Sequence, residues 1–434
     1  MNGMAAQLEG NVGSLDAEGS APRSAWVAFI LTFGLMMSDY VSRQVLLAVF
    51  PFLKAEWGLT DTQLGSLVSI LAVMVGVLTI PISFMADRLG RVKSIAAMAC
   101  LWSLATIACG LAANYGQMFA ARAVVGIGEA AYVTAGGAIL MHAFPAKLRS
   151  TVMGIFLGGA LFGSVVGVAT GGIVAARIGW QWAFIFVGVP GLLLALLYPL
   201  FVRDYETVDL DKSDNDGGVT EPQKMRWQEI VRASLGERPT VYGYLGGALQ
   251  LFASAAIVAW IPSYLNRFYG LPPEQAAVRA ALIVLVGGIG MAGGGFVADR
   301  LSVRNVRNKL RLPALYAVCS CLLFAVAFAI PESGLQFGLI VAGTFFVGGH
   351  MGPVAALSVE LNHPGLRATA LAVVTVVYNF VGLAPGPFVV GALSDTYGLE
   401  AAMMVIPLVC LGAVICFLLG ARNLPETWQR FHPN

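Results

Sequence analysis

Asp209-Leu210-Asp211-Lys212-Ser213-Asp214-Asn215-Asp216-Gly217-Gly218 holds a single large apolar side chain, yet it sits in a chain of 434 residues that is 58% hydrophobic and 12% charged. Such a stretch has no apolar face to bury, so with its flanks it predicts a hydrophilic loop over 203–239. Outward from it the chain turns apolar in both directions. A helix needs about 20 mostly apolar residues to cross roughly 30 Å of hydrocarbon. Runs of that kind lie at 26–50, 63–86, 93–113, 117–142, 150–175 and 181–202 before the loop, and at 240–265, 276–299, 311–331, 335–360, 367–392 and 399–421 after it. The reading is an all-α membrane protein with twelve transmembrane helices in two pseudo-symmetric six-helix bundles, 26–202 and 240–421. A disordered tail over 1–25 and a tail over 422–434 flank them, and residues 227–235 of the loop fit a short interfacial helix.

Blocks that recur on either side of the loop support the division. Ala86-Asp87-Arg88-Leu89 returns as Ala298-Asp299-Arg300-Leu301, and Arg149-Ser150-Thr151 returns as Arg367-Ala368-Thr369, at offsets of 212 and 218 residues. Soluble domains run roughly 45–50% apolar and about 25% charged, and the mean hydropathy here is +0.77. Together these exclude a soluble enzyme, a disordered chain and a nucleic-acid binder. The formal net charge of +2 identifies no polyanionic partner. Its placement does carry information: 20 of the 26 Lys and Arg flank the spans on the side of the two termini, and only Lys54, Arg177, Arg267 and Arg279 flank them on the other. By the excess of basic residues in cytoplasmic loops, both termini are expected in the cytoplasm, with the plasma (inner) membrane as the location. The first 25 residues lack a basic segment followed by an apolar one, so no cleaved signal peptide is expected. The six cysteines all fall inside apolar runs, as small buried hydrophobes do, and no metal site or cofactor is expected.

The stretch Ser83-Phe84-Met85-Ala86-Asp87-Arg88-Leu89-Gly90-Arg91-Val92-Lys93, its partial copy Gly295-Phe296-Val297-Ala298-Asp299-Arg300 and the late Pro425-Glu426-Thr427 resemble motifs of the major facilitator superfamily. Serine stands in for the first motif glycine, and the last basic residue comes one place late. Arg122-Ala123-Val124-Val125-Gly126-Ile127-Gly128-Glu129-Ala130-Ala131-Tyr132 is similar to the fourth-helix motif of the spinster-like branch, whereas Asp39-Tyr40-Val41-Ser42-Arg43 places its acid one turn earlier than that branch does. The resemblance implies two bundles that alternate access to a central cavity lined by the first and fourth helices. It also implies a gate at Asp87, Arg88 and Arg91, and lysophospholipids or sphingoid lipids as substrates.

A charge at bilayer depth costs at least about 2.5–3.5 kcal/mol, so each one calls for an ion pair or a wet cavity. Asp39 and Arg43 are four residues apart on one helical face, and Arg122 and Glu129 are seven apart, two turns along another. Glu129 and Asp39 are read as the proton carriers. Arg43 and Arg122, whose guanidinium forks suit carboxylate or phosphate, are read with Tyr132, Tyr378 and Asn379 as substrate contacts. Gly159, Gly163, Gly167 and Gly171 form a stripe that permits close helix approach. The pattern around them resembles the motif of superfamily exporters, with Val168 in place of its proline. Gly287, Gly288, Gly290, Gly293, Gly294 and Gly295 form a second thin face. The second half carries no acid or base matching Glu129 and Arg122, so Phe345, Phe346 and Phe380 are expected to build an apolar wall, with His350 as a lone polar exception.

The functional expectation is a monomeric proton-coupled secondary active transporter that moves an amphipathic, lipid-like substrate by alternating access. The alternative is a proton-coupled symporter of small organic acids. Expected partners are membrane lipids, protons and an amphipathic or anionic small molecule. No P-loop, GxSxG elbow or paired catalytic carboxylates point to an enzyme, and a channel would need a continuous polar pore.

Overall fold

A computed structural model describes residues 22–202, 236–302, 305–361 and 367–431. The N-terminal segment 1–21, most of the central loop and the interfacial helix expected at 227–235 lie outside the described residues. Among those described, twelve helices are long and apolar enough to cross a membrane. They are α1 Arg23–Trp57, α2 Asp61–Ser83, α3 Arg91–Gly110, α4 Tyr115–Ala143, α5 Lys147–Ile178, α6 Trp180–Phe201, α7 Arg238–Arg267, α8 Pro273–Ser302, α9 Asn308–Ala327, α10 Gly334–Ser358, α11 Ala370–Tyr397 and α12 Leu399–Pro425. Both described chain ends lie at one end of the bundle; the connections 58–60, 111–114, 268–272, 328–333 and 398 lie at the other, called here the far end.

Local chemistry sets the helix ends. Gly58 closes α1 in the left-handed region (φ 64°), donating to the Lys54 carbonyl. Thr60 and Gln63 then open α2 with reciprocal side-chain and backbone hydrogen bonds. Asn114 caps α4 by accepting from the Gln117 N–H, and Ser333 caps α10 by accepting from the Gln336 N–H. These two caps are 219 residues apart, which extends the duplication. The predicted spans match in number but stop short where charge enters. Helix α1 continues past residue 50 to Trp57, because Lys54 and Glu56 find partners at the far end. The tail expected from 422 is instead helical to Phe431. Leu424 and Thr427 are buried there, and Lys309, ion-paired with Glu360, lies 4.9 Å over the Trp428 ring.

Three interruptions matter more than the ends. Helix α4 breaks at Ala130-Ala131, where Ala131 leaves helical geometry (φ −126°, ψ 7°). Helix α10 breaks at Gly349-His350. Helix α11 widens into a π-turn over Tyr378–Leu383, a form often found at functional sites.

Each half packs on glycine. The α5 stripe lies on α1: a Cβ on Gly163 would come 2.7 Å from the Met37 carbonyl oxygen, and one on Gly167 equally close to that of Val41. On α8, Gly287 faces Thr344 and Gly290 faces Phe345, both on α10, whereas Gly288 faces Leu161 of α5. The halves meet chiefly along α5 with α8 and α2 with α11. Gly172 meets Ala277 in the first seam, and Gly65 meets the Pro387 carbonyl in the second. Thin seams of this kind let helices slide without opening voids.

Gly167→Leu is expected to destabilise the protein by about 1–3 kcal/mol through overpacking, lowering its thermal unfolding midpoint in detergent. Gly154→Leu, with no atom within 4 Å of a built Cβ, is expected to shift the midpoint little. Equal midpoints for the two variants would contradict a tight α1–α5 seam.

Candidate functional site

The i,i+4 spacing on α1 brings Asp39 and Arg43 together, with Nε 3.3 Å from Oδ1. Arg43 also reaches across to α4, where its Nη2 lies 2.9 Å from Glu129 Oε2. One guanidinium thus bridges two carboxylates on two helices. Asp39 is fully buried and Glu129 is 3% exposed, while the Arg43 side chain keeps 22% exposure. The Tyr40 ring lies 5.1 Å below the guanidinium carbon. Glu129 is the last residue of the first α4 segment, so its charge adds to the partial negative charge of a helix C-terminus. The Arg43 contact offsets that cost. Asp39 Oδ2 and both Glu129 oxygens find no hydrogen-bond partner among the described residues. The Arg43–Glu129 contact is therefore an ion pair by distance without the alignment of a hydrogen bond.

Arg43 brings Asp39 and Glu129 together, whereas the pair expected between Arg122 and Glu129 is not formed among the described residues: Arg122 turns to backbone carbonyls of α2 and α1. It is 1% exposed and donates at 3.4 Å to the carbonyls of Leu67 and Ser42. Tyr132 turns away from the charges. Its hydroxyl donates to the Thr32 carbonyl, and its ring packs edge-on against Trp102 at 5.1 Å. Tyr378 and Asn379 open the π-turn of α11: Asn379 Nδ2 donates to the Thr375 carbonyl at 2.9 Å, and the Tyr378 hydroxyl fits where Gly247 has no side chain. Arg91 begins α3. The side chains of Asp87 and Arg88 lie outside the described residues.

Between the halves lies a cavity of 260 Å³. Tyr40, Gln44, Leu157 and Leu161 wall it on one side, and Leu251, Val284, Met291, Thr344 and His350 on the other. The expected phenylalanine wall is absent from its lining: Phe345 packs edge-on against Phe346, Phe346 faces Tyr316, and Phe380 lies against Gly76. Aliphatic side chains and methionine take that place, because the break at Gly349-His350 turns His350 and Met351 toward the cavity.

A second charged cluster was missed in the sequence. Asp61, 2% exposed, accepts from Arg267 in a bidentate pair at 2.6 and 2.7 Å, from Lys54 at 2.6 Å and from Ser394 at 2.5 Å. Asp395 accepts from the backbone N–H groups of Asp61 and Thr62 and from the Thr62 hydroxyl, capping α2 from the opposite half. This far-end latch joins α1 and α2 to α7 and α11. The signal was present in the charge census, since Lys54 and Arg267 belong to the four basic residues on the unfavoured side. A basic residue there needs a local reason.

The profile described as Major Facilitator Superfamily matches residues 28–387. A probable L-galactonate transporter of Escherichia coli (strain K12) is 28% identical over 283 residues, 63% of this chain and 61% of the relative's length. Protein spinster homolog 1 of Xenopus laevis is 25% identical over 87% of this chain and 74% of its own. A crystal structure of a bacterial homolog to the human lysosomal transporter Spinster, inward-facing and unoccupied, superposes with a TM-score of 0.82 at 22% identity, covering 94% of this chain and 99% of that one.

Breaking a buried ion pair costs about 3–5 kcal/mol. With Lys54 and Arg267 partly solvated, Asp61→Asn is expected to shift the far-end equilibrium by about 1–2 kcal/mol toward opening, around tenfold. Electron-spin distance measurements between labels at positions 111 and 335 should show a longer population in Asp61→Asn. A distribution identical to the parent's would contradict the latch.

Proposed function

Since the chain belongs to the major facilitator superfamily, we propose that it is a proton-coupled secondary transporter that moves an amphipathic anion with a lipid-like tail by alternating access, with both termini in the cytoplasm of a plasma membrane. The observation that carries this reading is the sharing of Arg43 between two buried carboxylates beside an apolar-walled cavity. Asp39, Glu129, Arg43 and Arg122 sum to zero charge when all are ionised. A proton on Glu129 leaves the set at +1 and loosens its hold on Arg43, whose partly open guanidinium then takes the anionic group of a substrate. Proton and monoanion restore neutrality together, and a neutral site can cross between open states without a bare charge in the hydrocarbon. In this cycle Asp39 keeps Arg43 oriented, Arg122 supplies the second positive charge, and Tyr132 fixes the frame of α4 against α1. Tyr378 and Asn379, outside the cavity lining in this state, meet the substrate as the α11 π-turn moves in the cycle. Asp87, Arg88 and Arg91 gate the terminus-bearing end while the Asp61 latch gates the other, and a single chain suffices.

The aliphatic lining, including Leu157, Leu161, Leu251, Val284 and Met291, supports an apolar tail. A second reading, a proton-coupled symporter of small organic acids, is favoured by the 260 Å³ volume, which suits a headgroup or a small acid better than a long chain. Relatives described as hexuronate and D-galactonate transporters support it as well.

Proteoliposome uptake under an imposed pH gradient separates these readings. Lysophosphatidic acids of graded chain length are expected to bind more tightly as the chain lengthens, by about 0.8 kcal/mol per buried CH₂. Affinity indifferent to length would remove the lipid reading, and accumulation of galactonate would establish the second. With whichever substrate is carried, Glu129→Gln is expected to lose at least tenfold in gradient-driven accumulation while retaining equilibrium exchange. Accumulation at the parent level would remove Glu129 from coupling.

A further inference from the structure

One aromatic ring stands between the cavity and the guanidinium that bridges the two acids. Successive residues on α1 are turned by about 100°, so Tyr40 and Gln44 point much the same way, and both line the cavity. Arg43 and Asp39 come next round the helix, toward α4, and among the described residues neither belongs to the lining. The Arg43 guanidinium carbon lies over the Tyr40 ring, 5.1 Å from its centre, within reach of a cation–π contact. Its side chain keeps 22% exposure while Asp39 and Glu129 are buried. The cation is covered rather than sealed. At its root the tyrosine is pinned, since a Cβ on Gly163 of α5 would come 3.0 Å from the Tyr40 Cβ. The ring therefore clears Arg43 by turning about its own side-chain bonds rather than by a shift of α1. Its hydroxyl makes no hydrogen bond among the described residues, so no polar contact holds the ring in place.

We propose that Tyr40 is a shutter that decides which anions reach Arg43, admitting those with an apolar part beside their charge and excluding small hydrated ones. This deepens the transport reading above and rests on it. A bare guanidinium in a wet cavity would hold any oxyanion in solution, inorganic phosphate included, because its fork suits them all. Covered by the ring, it is reached only by a ligand that compensates for the lost cation–π contact and for the apolar surface bared as the ring turns. The opposite wall is aliphatic, with Leu251, Val284 and Met291 in the lining. An apolar tail laid between that wall and the turned ring takes the bared surface out of water again. Inorganic phosphate has no such surface to offer, so the shutter stays closed to it.

The test follows the reactivity of Arg43 itself on the full-length protein purified in detergent. Methylglyoxal modifies arginine side chains, and peptide mapping by mass spectrometry reads its rate at Arg43 against that at the exposed Arg422. Tyr40→Phe keeps the ring, and Tyr40→Leu removes it. Arg43 is expected to react about three- to tenfold faster in Tyr40→Leu than in the parent, with Tyr40→Phe at the parent rate. Inorganic phosphate is expected to slow the reaction in Tyr40→Leu alone, and lauroyl lysophosphatidic acid in all three proteins. A tyrosine with only a packing role would lower the unfolding midpoint without this selective change at Arg43. Equal Arg43 rates in the parent and Tyr40→Leu overturn the shutter, as does protection of the parent by inorganic phosphate. Should Tyr40→Leu fail to fold, Tyr40→Met takes its place, and the phosphate arm on the parent still decides. Lysophosphatidic acid that protects none of the three overturns the transport reading and the selection with it. The variant rates tell that failure apart from failure of the shutter, because they need no ligand.

Discussion

Two carboxylates, Asp39 and Glu129, lie buried within the apolar spans of the first half, and the placement of Arg43 between them is what makes their burial tolerable. Removing an ion from water carries an effective penalty of several kcal/mol even after relaxation. That penalty is met here by geometry, a four-residue spacing on α1 and a glycine stripe on α5 that lets α1 settle closely, and it is met in spite of the break in α4 that puts a helix C-terminus at Glu129. The compensation is incomplete, because three carboxylate oxygens have no hydrogen-bond partner among the described residues. The proposed coupling takes these unpartnered oxygens as the place where a proton is accepted.

The duplicated fold is not duplicated in charge. Pro51 and Pro262 are 211 residues apart, and at that offset Asp39 corresponds to Gln250 and Arg43 to Ser254. The caps Asn114 and Ser333 are 219 apart, and at that offset the α4 break at Ala131 corresponds to the α10 break at His350. One half therefore holds ions where the other holds neutral polar groups. Gln250 is 1% exposed, with neither its nitrogen nor its oxygen partnered among the described residues. A charged wall facing a neutral one suits a ligand whose own charge sits at one end. In the proposed cycle the far-end latch holds its end together and the thin seams of α5 with α8 and α2 with α11 let the halves rock.

Much of this was legible in the sequence, because hydropathy is a property of consecutive residues. Twelve spans and four charges in apolar runs needed no partner to be seen. The bridge from Arg43 to Glu129 was not legible, since spacing along the chain pairs Glu129 with Arg122, and only the packing of α1 beside α4 brings Arg43 to it. The latch was not legible: Arg267 and Ser394 lie 206 and 333 residues from Asp61, and no local pattern announces such a pairing. The α4 break was hidden because alanine is the strongest helix former, so Ala130-Ala131 looks continuous, and only packing opens the turn there. The phenylalanine wall failed for a related reason. A helix interrupted at Gly349-His350 presents a different face from an ideal one, so Phe345 and Phe346 pack on each other while Met351 and His350 reach the cavity.

The central claim is that an acid bridged by Arg43 takes up a proton as the anion arrives. Infrared difference spectroscopy of the purified protein, recorded as a bound anion is added, reads this directly through the carbonyl stretch of a protonated carboxyl in a dry environment. The account predicts that this band grows on binding in the parent and is lost in Glu129→Gln. A band that stays flat on binding, or that grows undiminished in Glu129→Gln, would contradict it.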